Sequence, residues 1–225
     1  MIARPVQELL GPLSPTEEKN APGKIYLQGD ESLLRSGPRV SVIGTRNPSE
    51  VGRANARRFS EFLVQNGITV VSGLALGVDV IAHETAVQAG GRTIAVLGTP
   101  LDKVSPSSHA TLQERIGREH LLISQFPSGF GVHRSNFPQR NRTMALISDA
   151  TIIIEAGETS GTLHQGYEAL RLGRPLFILS SVITSGLAWP AKMLDYGAFP
   201  VSEPKDLYEI LPIHMEVVCG ESPSI

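Results

Sequence analysis

Three arginines, one phenylalanine and two asparagines fall within the run His133-Arg134-Ser135-Asn136-Phe137-Pro138-Gln139-Arg140-Asn141-Arg142, and no carboxylate stands among them. A guanidinium meets phosphate oxygens through a planar fork of donors. A ring beside it offers a face on which a nucleobase stacks. The chemistry such a cluster supports is the binding of a phosphate-bearing ligand. A structural alternative is open for the same residues: arginines at a helix start, paired to Glu155 or Asp149. If Pro138 opens a helix, Arg140 and Arg142 lie about 200° apart around it and do not share a face. One of the two then serves the ligand and the other an ion pair.

Four glycine-bearing turns add to the cluster. They are Gly44-Thr45-Arg46-Asn47-Pro48, Ser72-Gly73-Leu74-Ala75-Leu76-Gly77-Val78-Asp79, Gly98-Thr99-Pro100 and Glu155-Ala156-Gly157-Glu158-Thr159-Ser160-Gly161-Thr162. Glycine lets a backbone turn sharply and approach a ligand closely. Ser160, Gly161 and Thr162 open a helix, and N–H groups at a helix start attract anions. One such turn is equally explained by the steric needs of a tight connection. Four at one edge of one sheet point to a site. Asp79 either caps the helix that follows Gly77 or lines the pocket. Trp189-Pro190 is expected to anchor the last helix on the core. The histidines at 83, 109, 120, 133, 164 and 214 show no ligand pair at helical or hairpin spacing, so no metal is expected. A Gly-x-Gly-x-x-Gly fingerprint is absent, and no dinucleotide or other cofactor is expected.

The elements that position these turns are apolar runs alternating with helical stretches. Strands are expected at 40–43, 68–71, 93–97, 120–124, 150–154 and 175–179. Helices are expected over 51–66, after Gly77 and from Gly161 to about Leu172. Over 51–66, Ala56, Phe59, Phe62 and Leu63 share one face, with Arg53, Arg57 and Glu61 on the other. Strands that are apolar throughout and separated by helices make a parallel sheet covered on both faces. The fold class is therefore α/β, a Rossmann-like doubly wound, mostly parallel sheet in a single domain. Ligands of such sheets bind beyond the carboxyl ends of the strands, where these turns lie. Residues 24–28 read as an edge strand and residues 198–211 as a small tail that finishes the sheet. The divisions are a lead-in segment at 1–23, a core domain at 24–211 and a C-terminal tail at 212–225.

A length of 225 residues fits one large domain. The formal net charge of −2 counts mildly against a nucleic-acid binder, so the decision rests on local clustering of charge. The single cysteine, Cys219, forms no disulfide within the chain and no cysteine cage for a metal, which suits a reducing compartment. The N-terminus lacks a signal-peptide pattern, and no apolar run approaches the roughly 20 residues of a membrane helix. A cytoplasmic protein with no membrane partner is expected.

Taken in order, the segments Tyr26-Leu27-Gln28-Gly29-Asp30, Val42-Ile43-Gly44-Thr45-Arg46, Ser72 to Asp79, Ala95-Val96-Leu97-Gly98-Thr99, Ser124-Gln125-Phe126-Pro127, Phe137 to Arg142 and Glu155 to Leu163 resemble the central Rossmann-like domain of the DNA-processing protein A (DprA/Smf) family. The resemblance runs from about residue 26 to 211. It implies a dimeric, non-enzymatic protein that binds single-stranded DNA in natural transformation and helps load the RecA recombinase. It also implies that Arg46 contacts DNA from the first turn. Phe137, Arg140, Asn141 and Arg142 would line the same groove, with Arg134 as an addition. Ser72, Gly73, Ser160, Gly161 and Thr162 complete the expected DNA- and phosphate-binding set. Two departures stand out: Leu76 where the family's Ser-Gly-Leu-Ala-Arg-Gly motif has arginine, and Leu179-Ser180-Ser181 where Pro-Gly is usual. The flanks are expected to be too short for the accessory domains of full-length relatives. Two alternatives remain. The pocket of a nucleotide sensor would take a free nucleotide. A phosphoribohydrolase of the lysine-decarboxylase-like (LOG) type would need a carboxylate at the position of Gln165, and a glutamine does not act as a base.

Overall fold

The computed structural model describes residues 1–211. The tail at 212–225, with His214 and Cys219, lies outside the described residues. The strands are β1 (Ile2–Pro5), β2 (Lys24–Gly29), β3 (Arg39–Gly44), β4 (Thr69–Ser72), β5 (Thr93–Leu97), β6 (Leu121–Ser124), β7 (Ala150–Glu155), β8 (Leu176–Leu179) and β9 (Phe199–Val201). The helices are α1 (Val6–Leu10), α2 (Pro15–Glu18), α3 (Glu50–Gln65), α4 (Val78–Gln88), α5 (Ala110–Glu119), α6 (Asn136–Ile147), α7 (Thr162–Arg171), α8 (Ser180–Ile183) and α9 (Trp189–Asp195). The strands form one sheet in the order β1-β2-β6-β5-β4-β3-β7-β8-β9. All pairings from β6 to β9 are parallel, while β2 runs antiparallel to both β6 and β1.

The interior strands explain this topology. β4, β5, β6 and β8 are buried at every position, and β7 at all but Glu155. Such strands have no face to show to water, so helices must cover both sides. α3 packs on α4, and α6 on α7. Phe59, Leu63 and Phe177 are fully buried in the core. From β3 the chain steps outward through β4, β5 and β6, then returns to the far side of β3 as β7. The β3/β7 border is thus the topological switch point, and the turns after both strands meet there. Trp189 is 4% exposed and holds the start of α9 to the core, as expected from its position.

The amino-terminal segment differs from the expected lead-in. Residues 2–5 pair with β2, so β2 is second from the edge. Strand β1 contains Pro5 and carries no alternating pattern, and its place comes from backbone pairing alone, which side-chain periodicity does not report. Ser14-Pro15-Thr16-Glu17 forms a capping box: Ser14 Oγ accepts from Glu17 N–H, and the Glu17 carboxylate accepts from Ser14 N–H at 2.8 Å. Glu17 also receives Arg174 at 2.9 Å, and Asn20 donates to Glu168 at 3.1 Å. These contacts tie the segment to α7 and the turn after it.

One buried group makes stability depend on pH. The Thr93 hydroxyl donates to Val70 O at 2.9 Å, so it must accept from His83 Nδ1–H at 2.7 Å. That fixes the neutral tautomer. Burial pushes the His83 pKa down to about 3. The unfolded chain therefore takes up a proton near pH 6.5 that the folded protein refuses, and stability falls as pH drops from about 6.5 toward 3. Between pH 6.5 and 5 this single group is expected to remove about 1.6 kcal/mol. Urea unfolding midpoints at the two pH values measure it. A His83→Asn variant should show a shallower slope, and an unchanged slope would exclude His83 as the source.

Candidate functional site

A cavity of about 390 Å³ opens at the switch point. A smaller one of about 150 Å³ adjoins it. Arg46, Ala75, Phe137 and Arg140 line both, so the two are halves of one groove. The groove lies beyond the carboxyl ends of β3, β4, β5 and β7, where the sequence places the four turns.

The wall between the halves is a stack. The Arg46 guanidinium lies 5.8 Å from the centre of the Phe137 ring, within cation–π range. Arg46 is exposed, and Phe137 is half-buried on the first turn of α6. Two glycines seat this wall. A Cβ at Gly98 would come within 2.6 Å of the Phe137 ring. At Gly77, with φ +79°, it would overlap the Thr45 and Arg46 backbone. Gly73 plays the same part for Arg140, because a Cβ there would overlap the Arg140 guanidinium. These turns therefore need glycine to admit the protein's own side chains at Gly73 and Gly98 and its backbone at Gly77. Gly157 and Gly161 differ, since nothing lies within 4 Å of where their Cβ would be.

Arg140 and Arg142 do point to different faces, as the helical spacing requires. Arg140 is buried: its Nη1 donates to Val96 O at 3.0 Å and lies 3.9 Å from Asp79. Its partner is thus Asp79, not Glu155 or Asp149. Asp149 pairs with Arg39, and Glu155 accepts from Ser49. Burial pushes the Asp79 carboxyl up and the Arg140 guanidinium down, each against the pull of the other. Asp79 does not cap α4, whose cap is Gly77. It lines the cavity and accepts from Ala75 N–H at 3.4 Å.

Across the cavity, Ser160, Gly161 and Thr162 line the start of α7. The local backbone uses much of what that helix end offers. Thr162 N–H donates to Ser160 Oγ, Leu163 N–H to Ser160 O and His164 N–H to Gly161 O, at 3.1–3.2 Å. Asn141 Nδ2 donates to Gly161 O at 3.0 Å and thereby fixes α6 to α7. Thr162 Oγ1 donates to Gly44 O at 3.2 Å. Gln165 lies beneath them, fully buried, with neither amide atom partnered among the described residues. Leaving such a group unpaired costs about 1–3 kcal/mol.

The structure thus gathers Arg46, Phe137, Arg140, Asn141, Ser160, Gly161 and Thr162 in one cavity, with Gly73 in the adjoining half. Three expected residues fall outside its lining. Ser72 is fully buried with its hydroxyl donating to Val42 O, because it still belongs to the sheet. Arg134 is exposed on the loop before α6. Arg142 is exposed on the opposite side of α6 from Arg140, and its charge bears on Glu168. Burial works to raise the Glu168 carboxyl, but Arg171, Asn20 and Arg142 together hold it below its ordinary value. Ser105 and Pro106 line the smaller half without a turn motif that would have announced them. Leu76, where the resembled motif has arginine, lines the smaller half with 46% of its surface exposed. Among the described residues there is no cluster of three metal-ligating side chains and no helix long and apolar enough to cross a membrane.

A family model described as DNA recombination-mediator protein A matches residues 12–212. The Bacillus subtilis DNA processing protein DprA is 31% identical over 192 residues, which are 85% of this chain and 65% of that protein. The structure of DprA from Streptococcus pneumoniae superimposes with a TM-score of 0.79 at 33% identity, covering 89% of this chain and 72% of that one. A structure of DNA processing protein A from Helicobacter pylori, which concerns that protein's single-stranded DNA binding mode, gives a TM-score of 0.77 at 30% identity. It covers 89% of this chain and 93% of that one. The chain spans about a third to two thirds of the length of the curated relatives it matches.

Proposed function

This chain belongs to the DNA recombination-mediator protein A family, and we propose that its groove binds single-stranded DNA without cutting or modifying it. The observation that carries this reading is the Arg46–Phe137 stack over the cavity at the switch point. It sets an exposed cation beside an aromatic face, the pair that tracks a phosphate backbone and holds unstacked bases. The near-neutral net charge is no obstacle, because Arg46 presents an exposed positive charge at the cavity, while the buried Arg140 is offset by Asp79. Arg134, Arg140, Asn141, Arg142, Ser160, Gly161 and Thr162 extend or support that surface.

In the cell, the protein would protect incoming single strands in the cytoplasm during DNA uptake and hand them to the RecA recombinase. It would act as a homodimer, with residues 24–211 as the binding core. The Helicobacter pylori relative's single-stranded DNA binding mode supports the ligand. The family's recombination-mediator description supports the role.

The test is an anisotropy titration of a labelled oligonucleotide at rising salt, with free nucleotides as competitors. Binding should tolerate sequence and weaken as salt rises, with a log–log slope near −0.7 for each phosphate neutralised. No binding at low salt would remove the proposal. Displacement by a free nucleotide at far lower concentration than by a strand would favour a nucleotide sensor instead.

A further inference from the structure

Phe130 stands on the loop between β6 and α6, outside the cavity, with 41% of its surface exposed. Its ring is fixed in place. It stacks on the buried ring of Phe126, with centroids 5.4 Å apart and planes at 27°. The His133 ring lies perpendicular to it at 6.1 Å. The backbone is held on both sides: Phe130 O accepts from Lys103 Nζ at 3.0 Å, and Gly131 O accepts from Asn136 Nδ2 at 3.0 Å. Lys103 lies two positions before Ser105, and Asn136 directly precedes Phe137. Ser105 and Phe137 both line the smaller half of the groove, so Phe130 is tied to two of its walls. Covering Phe126 accounts for the inner face of the ring and leaves the outer face without a use.

We infer that Phe130 is a stacking platform outside the cavity, onto which a single strand leaving the smaller half lays one further base. The inference rests on the single-stranded DNA reading above. A ring clamped on one face by Phe126 keeps the other for a planar partner, and aromatic faces favour offset stacking. The exposed side chains of the neighbouring turns and loops suit bases more than phosphates. Leu76, Val104 and Val132 are exposed there, and Leu76 brings no charge to the smaller half. Such groups offer a phosphate nothing, whereas an unstacked base gains by leaving water. Arg134, exposed on the same loop, is the cation for the adjoining phosphate. A fixed ring with an exposed arginine near it in sequence repeats the chemistry of Phe137 and Arg46. The platform is indifferent to sequence, because every base has a π-face, and it lengthens the stretch of strand held.

The test titrates labelled oligothymidylates of about 4 and about 16 nucleotides, the span of single-strand site sizes, against wild type, Phe130→Ala and Phe130→Trp. Phe130→Ala should bind the longer strand roughly tenfold more weakly and the shorter one, which the cavity holds, as wild type does. The salt slope should stay the same, because a neutral ring neutralises no phosphate. Phe130→Trp should bind the longer strand at least as tightly as wild type. Its indole fluorescence should be quenched at saturation by the longer strand and not by the shorter. The chain's own tryptophan, Trp189, is buried and supplies a constant background. Wild-type affinity of Phe130→Ala for the longer strand would overturn the inference, as would equal losses on both strands or an indole that the longer strand leaves unquenched. If Phe130→Ala does not fold, Phe130→Leu, which keeps apolar bulk over Phe126 without a flat face, takes its place. Wild type that binds both strands equally well overturns the inference without any variant and leaves the DNA-binding reading intact. Wild type that binds neither strand overturns both.

Discussion

Replacing Arg140 with methionine is expected to destabilise the protein by about 3–5 kcal/mol, the cost of leaving a buried charge without its partner. Arg140 joins three elements at once. It reaches from α6 to the Val96 carbonyl of β5, lies against Gly73 after β4, and faces Asp79 of α4 at 3.9 Å. Both charges are held against burial, which disfavours the ionised form of each. The pair is therefore no large net source of stability, but either half alone is worse than both. It follows that Arg140→Met combined with Asp79→Leu should recover most of the loss, since apolar replacements for a buried pair are often neutral. The pH dependence supplies a second check. Without Arg140, the Asp79 carboxyl is pushed further up and folds best protonated. Stability is then retained at low pH and lost as pH rises through the raised pKa, so the defect should be smallest in mild acid and grow toward neutrality. Urea midpoints at constant m-value measure both effects. A loss below about 1 kcal/mol, or one that the double variant deepens, would show that Arg140 does not hold these elements together.

Arg46→Ala should act in the opposite way, removing ligand binding and sparing the fold. Its guanidinium is exposed and rests on the face of Phe137. An exposed cation–π interaction contributes only about 0.5–1 kcal/mol, so the melting temperature should barely move. A charged hydrogen bond to a phosphate contributes about 1.5–3 kcal/mol. Its removal corresponds to roughly a ten- to hundredfold weaker grip on a single strand. The salt slope should become shallower by about 0.7, as follows when one phosphate fewer is neutralised. Arg142→Ala is the informative companion. Lying outside the cavity, it should weaken binding less and raise the Glu168 carboxyl that it helps to hold down. Wild-type affinity in Arg46→Ala would detach the stack from the ligand. A collapse in its melting temperature would make Arg46 a structural residue.

The two arginines show how far a sequence carries such assignments. Spacing along a helix places Arg140 and Arg142 on different faces, but it does not say which face is buried. That depends on where α6 lies over the sheet, and so on the return of the chain from β6 to β7. The carboxylate that meets Arg140 is Asp79, which lies 61 positions earlier in the numbering and on another helix. Spacing alone leaves Asp79 between a cap and a pocket residue, and the distinction required the two helices to meet.

Local chemistry determined a good deal by itself. Short runs that are apolar at every position and bounded by glycine turns read as strands covered on both faces, because neither row of side chains suits contact with water. From these follow the parallel sheet, the alternation with helices and the placing of the turns at one edge. Segments held by backbone pairing escape this logic: β1 carries no side-chain pattern, and the N–H and C=O groups that pair it do not depend on residue type apart from proline. The glycines divide the same way. Their types mark the turns, but only the tertiary structure shows Gly73 and Gly98 seating Arg140 and Phe137, while Gly157 and Gly161 face open space. Gln165 is the clearest case. Its identity argues against a catalytic carboxylate from the sequence alone, whereas its unpaired amide beneath the cavity is decided by packing, because burial and partners belong to the assembled fold.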